Sequence, residues 1–193
     1  MVSLLPAEPE AKGLLALMHY AEARRPARRD DSGAYVPLEQ QDTSLWNDSE
    51  IEFAEAVLRS ANAHGPSGRY QIEAAIQSAH VARLMRGIPT WPAIIALYDH
   101  LLMLTASPVV SLNRALAIGE RDGPEAALTE IETLGGDKRM RDYQPYWAAR
   151  GHVLVELDRR QEAREALTLA IGLSPDEAVR AYLRTRIAGL ADG

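Results

Sequence analysis

Histidines and a tyrosine–aspartate–histidine run are the side chains here with the clearest chemical potential. The five histidines stand at His19, His64, His80, His100 and His152. No two are four residues apart, the step that lets one helix face offer two imidazoles to a metal. Tyr98, Asp99 and His100 suggest an acid–base cluster, yet consecutive helical residues do not face one another. With no cysteine there is no disulfide, thiolate metal site or thiol nucleophile. No nucleophile elbow, phosphate-binding glycine loop or dinucleotide fingerprint occurs. The residues therefore assign no catalytic group, no cofactor and no metal, and the chain is not expected to be an enzyme.

Recognition is the other chemistry available. Residues 40–48, QQDTSLWND, set Trp46 in a dense polar cluster with Gln41 and Asp42. Two readings stand: Trp46 anchors a helix in the core, or Gln41, Asp42 and Trp46 belong to a docking surface, where aromatic residues are enriched. Tyr70, Gln71 and His80 share a predicted helix, with Gln71 and His80 nine positions apart and so on different sides. Asn113 and Arg114 lie on another; an amide such as Asn113 donates and accepts at once and can grip a partner's backbone. These eight residues are the candidate partner-binding set. The run Arg24, Arg25, Arg28, Arg29 suits a helix C-terminus, whose dipole favours cations; contact with nucleic-acid phosphates is the sharper alternative.

The elements that position these residues are helical. Ala and Leu are abundant, aromatics are 6%, and strand-like runs of Val, Ile and Thr are missing. A helix is predicted over about 9–25, with Leu14, Leu17, Met18 and Ala21 on one stripe and Pro26 as its stop. Residues 26–42 form a long loop with a short extended piece at AYVPL. A second helix is predicted over about 43–63, capped by Asp42 or Ser44, with Leu45 and Trp46 on its apolar face, and HGPSG ends it. Further helices follow from 69 to 86 and from TWPAIIALYDHLLMLT, SPVVSLNRALAIGE, GPEAALTEIETL, QPYWAARGHVLVELD and RRQEAREALTLAIGL, with a last one opened by Ser174–Pro175. Thr90 and Ser107 read as N-caps, Ser107 followed by proline at the first helical position.

The net charge of −6 and pI near 5.4 argue against unaided nucleic-acid binding, which draws on Lys and Arg neutralising phosphates. No long apolar run and no secretory signal appear, so a cytoplasmic protein without a membrane span is expected.

QPYWAARGHVLVELDRRQEAREALTLAIGLSPDE resembles a tetratricopeptide repeat through Trp147, Gly151, Leu154, Ala163, Leu167, Ala170 and Pro175. Gly151 and Ala163 are small where two helices must cross. Ile94, Ala127 and Ala163 occupy one place in three copies, at intervals of 33 and 36 residues around the 34 of that repeat. The expected fold is all-α: a right-handed α-α superhelix of tetratricopeptide-like hairpins, about nine helices. N-terminal helices and a loop fill 1–65; three hairpins and a capping helix fill 66–193.

SPVVSLNRALAI, together with GLLALMHYAEARRPAR, LEQQDTSLWND, GRYQIEAAIQSAH and WPAIIALYDHLLML, is more specific. In order and over nearly all of residues 4–190, these segments resemble the C-terminal helical extension of a group of bacterial extracytoplasmic-function RNA polymerase sigma factors. The resemblance implies a regulatory interaction domain whose partners are the sigma domains or core RNA polymerase, with DNA reached only through those domains. Neither sigma domain is present in the chain, and Met1 falls within what would be the linker helix, so this chain alone is not expected to start transcription. A free-standing tetratricopeptide-type adapter that holds a peptide in its groove is the alternative.

Overall fold

Prolines, capping side chains and small residues divide the chain into helices. The computed structural model describes residues 8–63 and 67–190, and among them the fold is all-α, with ten α-helices and no strand. α1 spans Pro9–Ala23, α2 Asp48–Asn62, α3 Arg69–Arg86, α4 Trp91–Thr105 and α5 Pro108–Asp122. α6 follows at Pro124–Thr133, α7 at Lys138–Arg141, α8 at Gln144–Glu156, α9 at Arg160–Leu173 and α10 at Glu177–Ala188. Proline opens α1, α4, α5, α6 and α8 within their first two positions, where its missing N–H costs nothing. No described helix is long and apolar enough to cross a membrane.

The helices gather into two compact units, Met1–Arg29 with Val36–Ala106, and Asp30–Tyr35 with Ser107–Gly193. The 65/66 division expected from the repeats falls inside the first unit, so α3 and α4 group with α1 and α2. Of the expected HGPSG stop, residues 64–66 lie outside the described residues.

In the first unit α1 packs against both α2 and α3. Its buried stripe is Gly13, Ala16, Tyr20 and Ala23, one position off the predicted Leu14, Leu17, Met18 and Ala21; Met18 is 57% exposed. Close approach decides this. A Cβ on Gly13 would stand 2.6 Å from the backbone N of Gln71, so the face that meets α3 must carry small side chains. The second helix also differs from its prediction. Residues 43–45 form a 3₁₀ turn, Trp46 breaks it, and α2 starts at Asp48 with Asn47 accepting the N–H of Glu50. The break sends Trp46 inward at 4% exposed and leaves Leu45 outside at 52%. Thr90 stands at the N-cap of α4 as expected, but its hydroxyl makes no cap bond and donates instead to Ala79 O at 3.0 Å.

In the second unit α5 pairs with α6 and α8 with α9, while α6 packs on α8 and α10 on α9. Both hairpins close over a glycine. A Cβ on Gly119 would lie 2.6 Å from that of Ala127, and one on Gly151 would lie 2.7 Å from Leu167 side-chain carbons. Leu112, Ala115, Ile131, Tyr146, Leu154 and Ala163 fill the core. Tyr146 is buried where Trp147 was expected; Trp147 is half-buried against Leu167 and Leu183, and its Nε1 donates to Arg141 O at 2.9 Å. α10 starts two residues beyond Pro175 because Asp176, not Ser174, caps it, accepting from the N–H of Ala178 at 2.8 Å. The four-residue α7 was not anticipated; Asp137 caps it and Met140 buries it.

Candidate partner-docking site

The segment from Arg25 to Asn47 contains no α-helix, and three attachments hold its Val36–Asn47 part within the first unit. Its end is tied to α1 by the N–H of Asn47, which donates to Ala23 O at 3.0 Å. Trp46 anchors the same end in a core of Ala16, Tyr20, Ala54, Leu58 and Val81. Its middle is gripped by Arg83 of α3, which makes two parallel bonds to the carboxylate of Glu39 at 2.8 and 2.5 Å. Such a fork-to-fork pair fixes orientation as well as position. Arg83 in turn lies over the Trp91 ring, 4.2 Å from its centroid.

Beneath this clamp is a layer rich in hydrogen-bond donors. Arg24, at the end of α1, donates through Nη2 to Gln77 Oε1 at 2.7 Å and through Nε to Tyr20 O at 3.4 Å. Its guanidinium carbon is 5.9 Å from the Trp46 ring centroid. Nε1 of Trp46 and Nε of Arg83 are buried donors without an acceptor among the described residues, and Gln41 Oε1 is a buried acceptor without a donor. His80, one turn from Gln77, takes a 3.4 Å contact from Arg83 on Nδ1 and meets Trp91 edge-on at 5.7 Å. Burial first, then the positive charges of Arg83 and Arg24 against the opposing Glu39, holds its pKa down at about 4. Burial and the neighbouring Arg28 charge push the Arg24 pKa down as well. Burial leads both shifts, neighbouring arginines add to it, and Glu39, which opposes the shift at His80, is already engaged by Arg83.

The eight sequence candidates divide among different settings. Trp46 is core, with Gln41 half-buried beside it, its Nε2 donating to Val36 O at 3.3 Å. Asp42 is exposed and caps the 3₁₀ turn by accepting the N–H of Ser44 at 2.9 Å; the Ser44 hydroxyl first and this N–H second draw its pKa down. His80 joins the donor layer. Tyr70 and Gln71 stand at the opposite end of α3, where their N–H groups donate to the carboxylate of Glu10 at 3.1 and 3.2 Å. Gln71 is 1% exposed, with Oε1 accepting from Gly68 N–H and Nε2 donating to Asn62 Oδ1 at 2.9 Å. A carboxylate on the free N–H groups of a helix start is favourable in itself, so Gln71 is built into the helix start rather than the surface. Asn113 and Arg114 belong to the second unit. Asn113 is exposed, and Arg114 pairs with Glu130 at 3.3 Å.

Glu39, Gln77, Arg83 and Trp91 were missed by residue-by-residue reading, and Arg24 was read only as part of a basic run. The signal for Arg24 lay in RRPARR, where Pro26 forces the helix to end beneath its own arginines. Glu39–Arg83 pairs residues 44 apart and leaves no local trace. Among the described residues no group of three or more His, Cys, Asp or Glu is arranged to hold a metal.

A family of unknown function (DUF6596) matches residues 1–62, the stretch that contains α1, the clamped loop and α2. The chain is also 44% identical over 192 residues to an uncharacterized protein of Rhizobium meliloti (strain 1021). That match covers 99% of this chain and 45% of the relative, so the chain spans less than half the length of the curated relative it matches. No solved structure matches.

Proposed function

We propose that the chain is a regulatory protein-interaction domain of an extracytoplasmic-function type RNA polymerase sigma factor, acting in the cytoplasm by contact and with no bond-making chemistry of its own. The observation that carries the proposal is the clamped segment Arg25–Asn47. It contains no α-helix, and long connections of that kind in compact proteins are seldom without a purpose; Trp46, Glu39 and Asn47 hold its Val36–Asn47 part in the first unit. The ordered resemblance to the sigma-factor extension names the partner, and a relative more than twice as long leaves room for sigma domains in one polypeptide. Regulation requires that the domain hold one arrangement of those domains better than another, since a contact equal in both shifts nothing.

The test is twofold. The purified chain is mixed with separately expressed sigma domains of a factor bearing such an extension, and co-elution is measured by size-exclusion chromatography. In the longer relative, the segment aligned with this chain is deleted and transcription from the target promoter is compared. Complex formation and altered transcription are expected. A chain that ignores the sigma domains, together with unchanged transcription after deletion, overturns the proposal. Retention of extended peptides alone would make the chain a free-standing adapter, with the exposed amide of Asn113 as its peptide grip.

A further inference from the structure

Two guanidiniums at the end of α1 have donors to spare and, among the described residues, no carboxylate partner. Arg24 carries five N–H groups, of which one meets Tyr20 O and one Gln77 Oε1; five less two leaves three without an acceptor among the described residues. Arg28, exposed on the following 3₁₀ turn at Arg25–Arg28, commits one N–H to Ala21 O at 2.8 Å. Among the described residues neither is in an ion pair. Of the carboxylates nearest in sequence, Glu22 pairs with Arg25 at 3.1 Å, Asp30 accepts the N–H groups of Ser32 and Ala34, Glu39 pairs with Arg83 and Asp42 caps its own turn, while Asp31 is exposed.

A half-buried cation that meets only neutral acceptors has lost hydration without gaining a counter-charge, and an arriving anion supplies what is missing. The site is also shaped for one. The Arg24 guanidinium lies over the ring of Trp46, itself held in the core at 4% exposed, with its carbon 5.9 Å from the ring centroid, and its bonds to Tyr20 O and Gln77 Oε1 hold it there. A planar fork held in place favours a bidentate carboxylate.

We infer that Arg24 and Arg28 form a receptor for a carboxylate side chain on an acidic protein segment, and that the clamped loop surface grips its partner there. The inference rests on the interaction reading above and adds the chemistry of the contact. A nucleic acid is the poorer fit. The net charge of −6 weighs against any polyanion, but a duplex held through its phosphates draws on many cations at once, whereas one carboxylate needs only a single guanidinium fork.

The experiment follows the Arg24 Nε–H and Trp46 Nε1–H resonances of the nitrogen-15-labelled chain. The probes are a peptide of alternating glutamate and glycine, its glutamine counterpart and a short DNA duplex. The glutamate peptide is expected to shift both resonances saturably and the glutamine peptide to leave them in place. Arg28→Gln, at an exposed position that spares the fold, is expected to weaken binding roughly tenfold, the usual scale for one charge-assisted bond. Arg24→Lys keeps the charge but removes the fork, and is expected to abolish the Trp46 response. Absence of shifts, equal shifts with glutamine, indifference to Arg28→Gln, or tighter binding of the duplex each overturns the inference. Sigma domains that bind equally well to both variants also overturn it while the proposed function stands. A chain that answers the glutamate peptide but ignores sigma domains sinks the sigma-factor reading and leaves the receptor intact.

Discussion

Arg186 of α10 donates to Nδ1 of His152 on α8 across 3.1 Å. A guanidinium has only donors, so this bond exists while Nδ1 keeps its lone pair, and the ring proton sits on Nε2, 3.4 Å from Glu156. Burial keeps the imidazole pKa below its ordinary 6.5, with Glu156 opposing the shift and Arg186 adding to it. His80 is shifted the same way, to about 4.

The sign for stability follows. Between the depressed native value and 6.5 the unfolded chain binds more protons than the native one, so stability rises with pH in that window. The contribution of both histidines is complete above 6.5 and drains away as acid approaches the native values. Urea midpoints measured from about pH 7.5 to about pH 4.5 should fall on the acid side. His152→Gln and His80→Gln should each flatten part of that slope. Carboxylates such as Glu162 and Glu177, whose values are lowered by their arginine partners, add their own loss only at more acid pH.

Gly13→Ala drives a methyl group into the backbone N of Gln71 at 2.6 Å. It should cost about 1–3 kcal/mol, because backbone cannot rotate aside as a side chain would. Gly172, in α9, has nothing within 4 Å of the same added methyl, and Gly172→Ala should stabilise by about 0.5–1 kcal/mol. Thermal denaturation of the two variants checks the contrast in sign.

Glu55 of α2 accepts from Tyr20 of α1 at 2.7 Å and from Ser78 of α3 at 2.6 Å, on the same oxygen. Tyr20→Phe and Ser78→Ala should each cost about 1–2 kcal/mol, and the double variant less than their sum, because the two donors share one acceptor. A double-mutant cycle in urea measures the coupling.

Trp46→Ala should cost about 3–5 kcal/mol and open the clamped segment, raising amide exchange from residue 36 to 47. Trp46→Phe keeps most of the buried area and deletes an N–H that has no acceptor. It should cost less than about 1.5 kcal/mol, with exchange in the loop unchanged.

Helix periodicity and punctuation were legible because they are local. Arg69–Arg86 was read to its ends, and Gly123–Pro124 marks a real stop and start, the glycine taking φ 101°. The buried face of α1 was not legible, since its leucines suit a stripe on periodicity alone while contact with two helices at once favours Gly13, Ala16 and Ala23. The break before α2 was masked by Leu45 and Trp46, apolar neighbours that suggest helix when only one of them enters the core. At the docking surface, the arginine run was visible, but its partners were not. Gln77 lies 53 residues from Arg24, and only the fold decides which arginine meets a carboxylate and which is left without one.

The three indoles fall unevenly between the two units. Trp46 and Trp91 belong to the first and Trp147 to the second. With Trp147 replaced by phenylalanine, ultraviolet emission reports the first unit alone, and with the other two replaced it reports the second. The molecule thus carries built-in lamps by which the melting of each half can be watched separately, without attaching a dye.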